Sequence, residues 1–141
     1  MSQDKNAALA LLILRLTLAL FFFQWGMEKF LHPEYTASIA KYFYGMEITS
    51  WVAPLVGIVQ LLLVAGLLTG LFKRLTYGIA TLMHGITVAV SWRQLLDPYG
   101  PAEGVPFHHL FIASVPVLGA CLALYLMRHL DTYSMSSRSR M

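Results

Sequence analysis

The chain has few charged residues and a single cysteine. Only 12% of its 141 residues are Asp, Glu, Lys or Arg, whereas 57% are hydrophobic. This composition indicates a membrane protein. The lone Cys121 excludes the thiol exchange of a disulfide-generating membrane oxidoreductase, because that reaction needs two sulfurs in the chain. We interpret Cys121 as a small apolar packing residue.

Four apolar runs are each long enough to cross a bilayer, which takes about 20 residues of helix. They cover Ala8 to Leu31, Val52 to Phe72, Leu75 to Leu96 and Pro106 to Met127. The first is too long for a signal peptide and lacks a small-residue cleavage site, so we expect a retained helix. Because the runs leave no room for a soluble domain, we predict an all-α integral membrane protein, with one four-helix bundle over residues 1–141.

Positive charge is unequal on the two sides of this bundle. The side with both termini carries six basic residues, namely Lys5, Lys73, Arg74, Arg128, Arg138 and Arg140. The opposite side carries three, namely Lys29, Lys41 and Arg93. Since basic residues concentrate on the cytoplasmic side of membrane proteins, we expect both termini in the cytoplasm.

The longest connection, His32 to Trp51, is expected to contain a short amphipathic helix on the outer membrane surface. Aromatic and aliphatic residues recur there at helical spacing opposite polar ones, namely Tyr35, Ile39, Tyr42 and Phe43 against Thr36, Ser38 and Lys41. The aromatic side chains either anchor the bundle at the interface or form a lid over an external site. The sequence leaves both alternatives open.

Arg15 lies about a third of the way along the first apolar run, where a charge is costly and therefore indicates function. At about 100° per residue, Arg15, Gly26 and Lys29 share one stripe of the helix. Gln24 and Glu28 form an i, i+4 pair on the other side. Because lipid satisfies neither stripe, at least one must face the bundle interior or a partner protein.

The other runs contribute further polar residues. Gln60 in the second run could hydrogen-bond Arg15 or Lys29, or hold a ligand carbonyl. His84 lies near the middle of the third run. We therefore predict a ligand-binding site or buried polar network, without an assigned catalytic residue, from Arg15, Gln24, Glu28, Lys29, Gln60, His84 and Arg93. Close helix packing is predicted at Gly26, Gly57 and Gly66.

The histidines do not favour a haem within this chain. Two axial ligands must lie at similar depth, yet His84 and the pair His108 and His109 differ by about 12 Å along their helices. A metal site at the outer end has three weak candidates, His32, His108 and His109. Hydrogen bonding or proton acceptance is the favoured role of these side chains, and no metal site is predicted.

Several of these residues recur in a known pattern. Leu14-Arg15, Phe22, Gly26, Lys29 and Phe30 are followed by a second run with Gly57, Gly66 and Gly70 and then Lys73-Arg74. In this pattern the chain resembles the DoxX family of small four-helix membrane proteins over most of its length. By motif position, the family's arginine, glycine and lysine of the first helix correspond to Arg15, Gly26 and Lys29. The family commonly has a glutamate in the second helix, where this chain has Gln60.

The resemblance implies cytoplasmic termini, a bacterial inner membrane and a role in membrane redox assemblies such as thiosulfate:quinone oxidoreductases. The first function class is a redox-complex subunit that binds a quinone or small substrate in the bundle and relies on a partner's haem, flavin or metal for electrons. The second is a non-catalytic accessory or scaffold subunit. A transporter ranks third, because no inverted repeat is visible. The expected partners are lipid and other membrane subunits, not nucleic acid.

Overall fold

A computed structural model describes residues 3–100 and 108–138, with the backbone alone at 108–110 and at 138. The described part of the chain is helical and contains no strand, which confirms the all-α class. Its helices are α1 (Gln3–Leu31), α2 (Pro33–Tyr44), α3 (Val52–Thr69), α4 (Lys73–Val90), α5 (Trp92–Leu96), a 3₁₀ helix (His108–Ala113), α6 (Ser114–Leu126) and α7 (Met135–Arg138).

The core forms where four helices pack side by side. Helix α1 packs along α3 and α4 packs along α6, while α3–α4 and α1–α6 contacts join the two pairs. The residues buried between them are mainly apolar and include Leu11, Leu18, Phe22, Leu63, Leu67, Tyr77 and Leu124. Helices α1 and α3 are long and apolar enough to cross a membrane, and α6 lies in a shorter apolar segment, Phe111–Leu126.

Two glycines allow α1 and α3 to approach closely. A Cβ added at Gly26 would lie 3.0 Å from the Leu61 side chain. A Cβ at Gly57 would lie 2.7 Å from the Phe30 ring and 3.2 Å from Lys29 Cβ. Both distances are shorter than ordinary carbon contacts, so a larger side chain must displace the neighbouring Leu61 or Phe30 side chain or the helices themselves.

Replacing Gly57 by valine is expected to lower the free energy of unfolding by about 1–3 kcal/mol, because the added methyl groups overpack the α1–α3 contact. Thermal unfolding of the purified protein in detergent measures the effect. Gly119→Val in α6 is the matched control, since a Cβ at Gly119 meets nothing within 4 Å. Equal losses in both variants would show that Gly57 is not a close-packing position.

The helix bounds differ from the second and third predicted runs at Gly70 and Ser91. Helix α3 ends at Thr69 because Gly70 adopts a left-handed conformation, with φ of 65°. The tight turn is therefore Gly70 to Phe72, and the predicted connection Lys73-Arg74 instead begins α4. The third run is divided at Ser91, whose backbone leaves the helical region with φ of −90° and ψ of 16° between α4 and α5.

The remaining predicted segments are placed as follows. Helix α2 is present in the first connection, and it packs against α1 and α3 with Ala40 buried. In the fourth run, residues 106 and 107 lie outside the described part of the chain, and the α-helix itself begins at Ser114 after the 3₁₀ turn. The chain enters α6 through that tighter helix instead of through a single continuous span.

Candidate functional site

The guanidinium of Arg15 is bonded to the C-terminal segment, residues 128–138. Arg15 is only 2% exposed, and its Nη1 lies 3.2 Å from Oδ2 of Asp131, which is fully buried. Its Nη2 donates to the Tyr133 carbonyl at 2.8 Å. A carboxylate of the same chain therefore neutralises Arg15.

Helix α4 holds the same aspartate from the other side. The Tyr77 hydroxyl donates to Asp131 Oδ2 at 2.5 Å, and Lys73 Nζ donates to the Asp131 carbonyl at 2.9 Å. We call Arg15, Lys73, Tyr77 and Asp131 the Asp131 node. Helices α1 and α4 thus both contact Asp131, which follows α6 in the chain. The node therefore holds the C-terminal segment against the bundle.

The Asp131 node lies at one end of the bundle. A Cβ added at Gly70, in the turn between α3 and α4, would collide with Arg15 Nη1. The Ser136 hydroxyl donates to the Gly70 carbonyl at 2.8 Å, so the C-terminal segment covers this turn. Twelve residues of α1 precede Arg15 because the helix begins at Gln3, and at about 1.5 Å each they span about 18 Å. The Arg15 guanidinium therefore reaches the α3–α4 turn from a position well inside α1.

The node leaves two buried polar atoms without a partner among the described residues. They are Arg15 Nε and Asp131 Oδ1. A guanidinium and a carboxylate can form two parallel hydrogen bonds, but here only one Arg15 nitrogen reaches the carboxylate. The ion pair is thus incompletely bonded.

Gln60 and His84 each join two helices by a hydrogen bond to the backbone. Gln60 Nε2 donates to the Phe22 carbonyl at 2.9 Å, which links α3 to α1, and it does not bond Arg15 or Lys29. His84 Nε2 lies 2.9 Å from the Ser114 carbonyl, so this nitrogen carries the proton and links α4 to α6. Both contacts join helices, and Gln60 Oε1 is buried without a partner among the described residues.

The other predicted residues lie near the opposite end of the bundle. Lys29 Nζ donates to the Trp25 carbonyl of its own helix at 3.0 Å. Glu28 is half-buried and Gln24 is exposed. The Arg93 guanidinium lies 5.4 Å from the centre of the Trp92 ring. Arg15 and Arg93 are therefore at opposite ends, and the seven predicted residues do not meet in one site.

Of the three outer histidines, His32 is the one whose side chain the structure describes. His32 Nδ1 lies 3.2 Å from Glu34 Oε1, and both side chains are exposed. The side chains of His108 and His109 lie outside the described residues. Within the described residues, no group of three His, Cys, Asp or Glu side chains could hold a metal ion.

A groove of about 390 Å³ lies between α2 and α5. We call it the outer groove; it is lined by Tyr42, Phe43, Val90, Trp92, Arg93 and Gln94. Gln94 is only 6% exposed, and its Nε2 donates to the Tyr42 hydroxyl at 3.4 Å. Its Oε1 is buried and has no partner among the described residues. The groove therefore combines aromatic walls, one cation and one buried amide with an unused polar atom.

Three of these residues, Tyr77, Gln94 and Asp131, were missed by reasoning from sequence. Tyr77 and Gln94 had a detectable signal, because Tyr77, His84 and Ser91 recur every seven residues and Gln94 follows one turn later on the same helical face. Asp131 had none, because its contact with Arg15 joins positions 116 residues apart.

Comparison with known families found one match. The model of the DoxX family covers residues 10–92, from α1 to the start of α5. No curated protein matched the chain, and no solved structure did either. Arg15, Lys73 and Tyr77 lie inside the matched region, whereas Asp131 lies beyond it. Since the match covers more than half of the residues, the chain belongs to the DoxX family of membrane proteins.

Proposed function

We propose that this protein is an integral subunit of a quinone-linked redox complex in a bacterial inner membrane. In this proposal α1, α3, α4 with α5, and α6 cross the bilayer, and both termini are cytoplasmic. Two observations support this orientation. The C-terminal segment contacts the α3–α4 turn, and this end of the bundle carries Lys73 and Arg74.

The quinone site in this proposal is the outer groove and not the bundle interior. The interior polar side chains Arg15, Gln60 and His84 already bond groups of their own chain. Gln60 Oε1 and Gln94 Oε1 are both buried without a partner among the described residues, but Gln94 also lines an open groove. Leaving such an atom without a partner costs about 1–3 kcal/mol, which a ligand can recover. The unpaired amide atom at the wall of an open groove is the observation that carries the proposal.

The groove lining suits the headgroup of a quinone. A flat ring can stack against the exposed Trp92 or Tyr42 ring, and a quinone carbonyl can accept a hydrogen bond from Arg93. Gln94 Oε1 is covered in this structure, so the Gln94 side chain must turn toward the groove before a quinol hydroxyl can donate to it. With the amide rotated by a half-turn, an N–H group takes the place of Oε1, so either orientation offers one hydrogen bond. Electrons come from a partner subunit that holds a haem, flavin or metal.

Gln94→Leu is expected to weaken binding of a short-chain quinone by about 10-fold, because it removes a neutral hydrogen bond. The measurement is a binding titration on the purified protein in detergent. Gln3→Leu is the matched control. It makes the same substitution at an exposed amide at the start of α1, far from the outer groove. Equal affinity of wild type and Gln94→Leu would refute the groove as the quinone site.

A second candidate function is a non-catalytic accessory subunit. Gln24 favours it, because this amide is exposed about 10 Å from the outer end of α1, beside the exposed Leu20 and Phe23. Lipid cannot satisfy an amide, whereas a helix of a partner protein can. Copurification from native membranes discriminates between the two functions. If Gln24→Leu abolishes copurification of a partner and no quinone binds the wild type, the accessory function is correct.

A further inference from the structure

We infer that Arg15 and Tyr77, with Lys73 beside them, form a binding site for a small oxyanion. In this structure the carboxylate of Asp131, from the same chain, takes the place of that anion. The C-terminal segment closes this site. The inference goes beyond the proposed function, because it concerns the opposite end of the bundle from the outer groove.

The donors of this site come from two different helices. Arg15 on α1 and Tyr77 on α4 both direct a donor to the same carboxylate oxygen, at 3.2 and 2.5 Å. Both side chains are at least 98% buried, so the site is built into the packed end of the bundle. A guanidinium beside a phenol hydroxyl is a combination that recognises carboxylate, sulfate or phosphate oxygens.

The tethered carboxylate uses this site incompletely. Arg15 Nε has no acceptor and Asp131 Oδ1 has no donor among the described residues. Asp131 is also held through its backbone, since its carbonyl accepts from Lys73 and from the Ser134 hydroxyl, and this fixes the point from which its short side chain starts. A free anion has no such tether and can rotate to meet more donors. An unpaired polar atom beside a buried charge is costly, and an anion that bonds it recovers part of that cost.

Most of the contacts that close the site are hydrogen bonds, which water can replace. Beyond the Asp131 carboxylate, the C-terminal segment is held by bonds from Arg15 to the Tyr133 carbonyl, from Lys73 to the Ser137 hydroxyl and from Ser136 to the Gly70 carbonyl. Leu130 adds one apolar contact with the core. The exposed Arg74 adds positive potential at the same end, which raises the local concentration of anions. The segment therefore acts as a closure over the site.

The test is anion rescue of a variant that lacks the carboxylate. Thermal unfolding of full-length Asp131→Ala in detergent is titrated with sodium acetate, with sodium sulfate and, at equal ionic strength, with sodium chloride. We expect acetate or sulfate to raise the midpoint saturably by at least about 3 °C, since a ligand that binds only the folded state stabilises it. Wild type should show a smaller rise, because Asp131 competes.

Two further variants make the result decisive. Arg15→Leu combined with Asp131→Ala should show no rescue, because the guanidinium is gone. If Asp131→Ala does not fold, Asp131→Ser keeps a polar group and leaves room for the anion. A folded variant that responds to acetate and sulfate only as it does to chloride overturns the inference, as does rescue that survives Arg15→Leu. Neither outcome bears on quinone binding, because no quinone is present in this assay.

Discussion

Replacing Asp131 by alanine is expected to lower the free energy of unfolding by about 3–5 kcal/mol. The substitution leaves the Arg15 guanidinium buried without a counter-ion, which costs more than the ion pair contributes. It also removes the acceptor of the Tyr77 hydroxyl. Thermal or denaturant unfolding in detergent micelles, without added acetate or sulfate, measures this loss.

Glu47→Ala is the control for Asp131→Ala. Glu47 pairs with Lys41 at 3.0 Å, but both side chains are more than 70% exposed, so the pair contributes less than about 1 kcal/mol. The two substitutions remove the same charge from different environments. Similar stability losses would mean that Asp131 is not a buried partner of Arg15.

Gly70→Ala is expected to lower the free energy of unfolding by about 2–5 kcal/mol. Gly70 has φ of 65°, which costs an alanine about 1–2 kcal/mol. Its Cβ would also collide with Arg15 Nη1 and lie 2.5 Å from Ser134 Cβ, and overpacking of this kind adds about 1–3 kcal/mol. The substitution therefore disturbs the Asp131 node as well as the backbone. Thermal unfolding measures the change.

Gly45→Ala separates these two contributions. Gly45 ends α2 with φ of 64°, and a Cβ there meets nothing within 4 Å. It therefore carries the same backbone cost without the collision, and its loss should stay within about 1–2 kcal/mol. If Gly45→Ala and Gly70→Ala are equally destabilised, Gly70 has no packing role at the node.

The fold class and the family could be predicted from the sequence, because both depend on local patterns. Long apolar runs predict helices, and the all-α class is confirmed. The DoxX resemblance, seen first in Arg15, Gly26 and Lys29, is confirmed by the family match. Helix ends were less predictable. Gly70 and Ser91 interrupt apolar runs through their backbone conformations, which hydrophobic periodicity does not register.

The partner of Arg15 could not be predicted. From the sequence, Arg15 could be neutralised by amides such as Gln60 together with a ligand, or by a neighbouring subunit. In the structure Gln60 bonds Phe22 and the C-terminal segment folds back to supply Asp131. The position of the C-terminal segment depends on how it packs against the other helices. No periodic pattern in the sequence predicts that packing.

The central claim is that Asp131 of the same chain neutralises Arg15, and a double-mutant cycle tests it most directly. The free energy of unfolding is measured for wild type, Arg15→Leu, Asp131→Leu and the double variant. We predict a coupling energy above about 1.5 kcal/mol, with the double variant more stable than the sum of the single losses implies. Losses that add within about 0.5 kcal/mol would contradict the claim and place the counter-ion of Arg15 elsewhere.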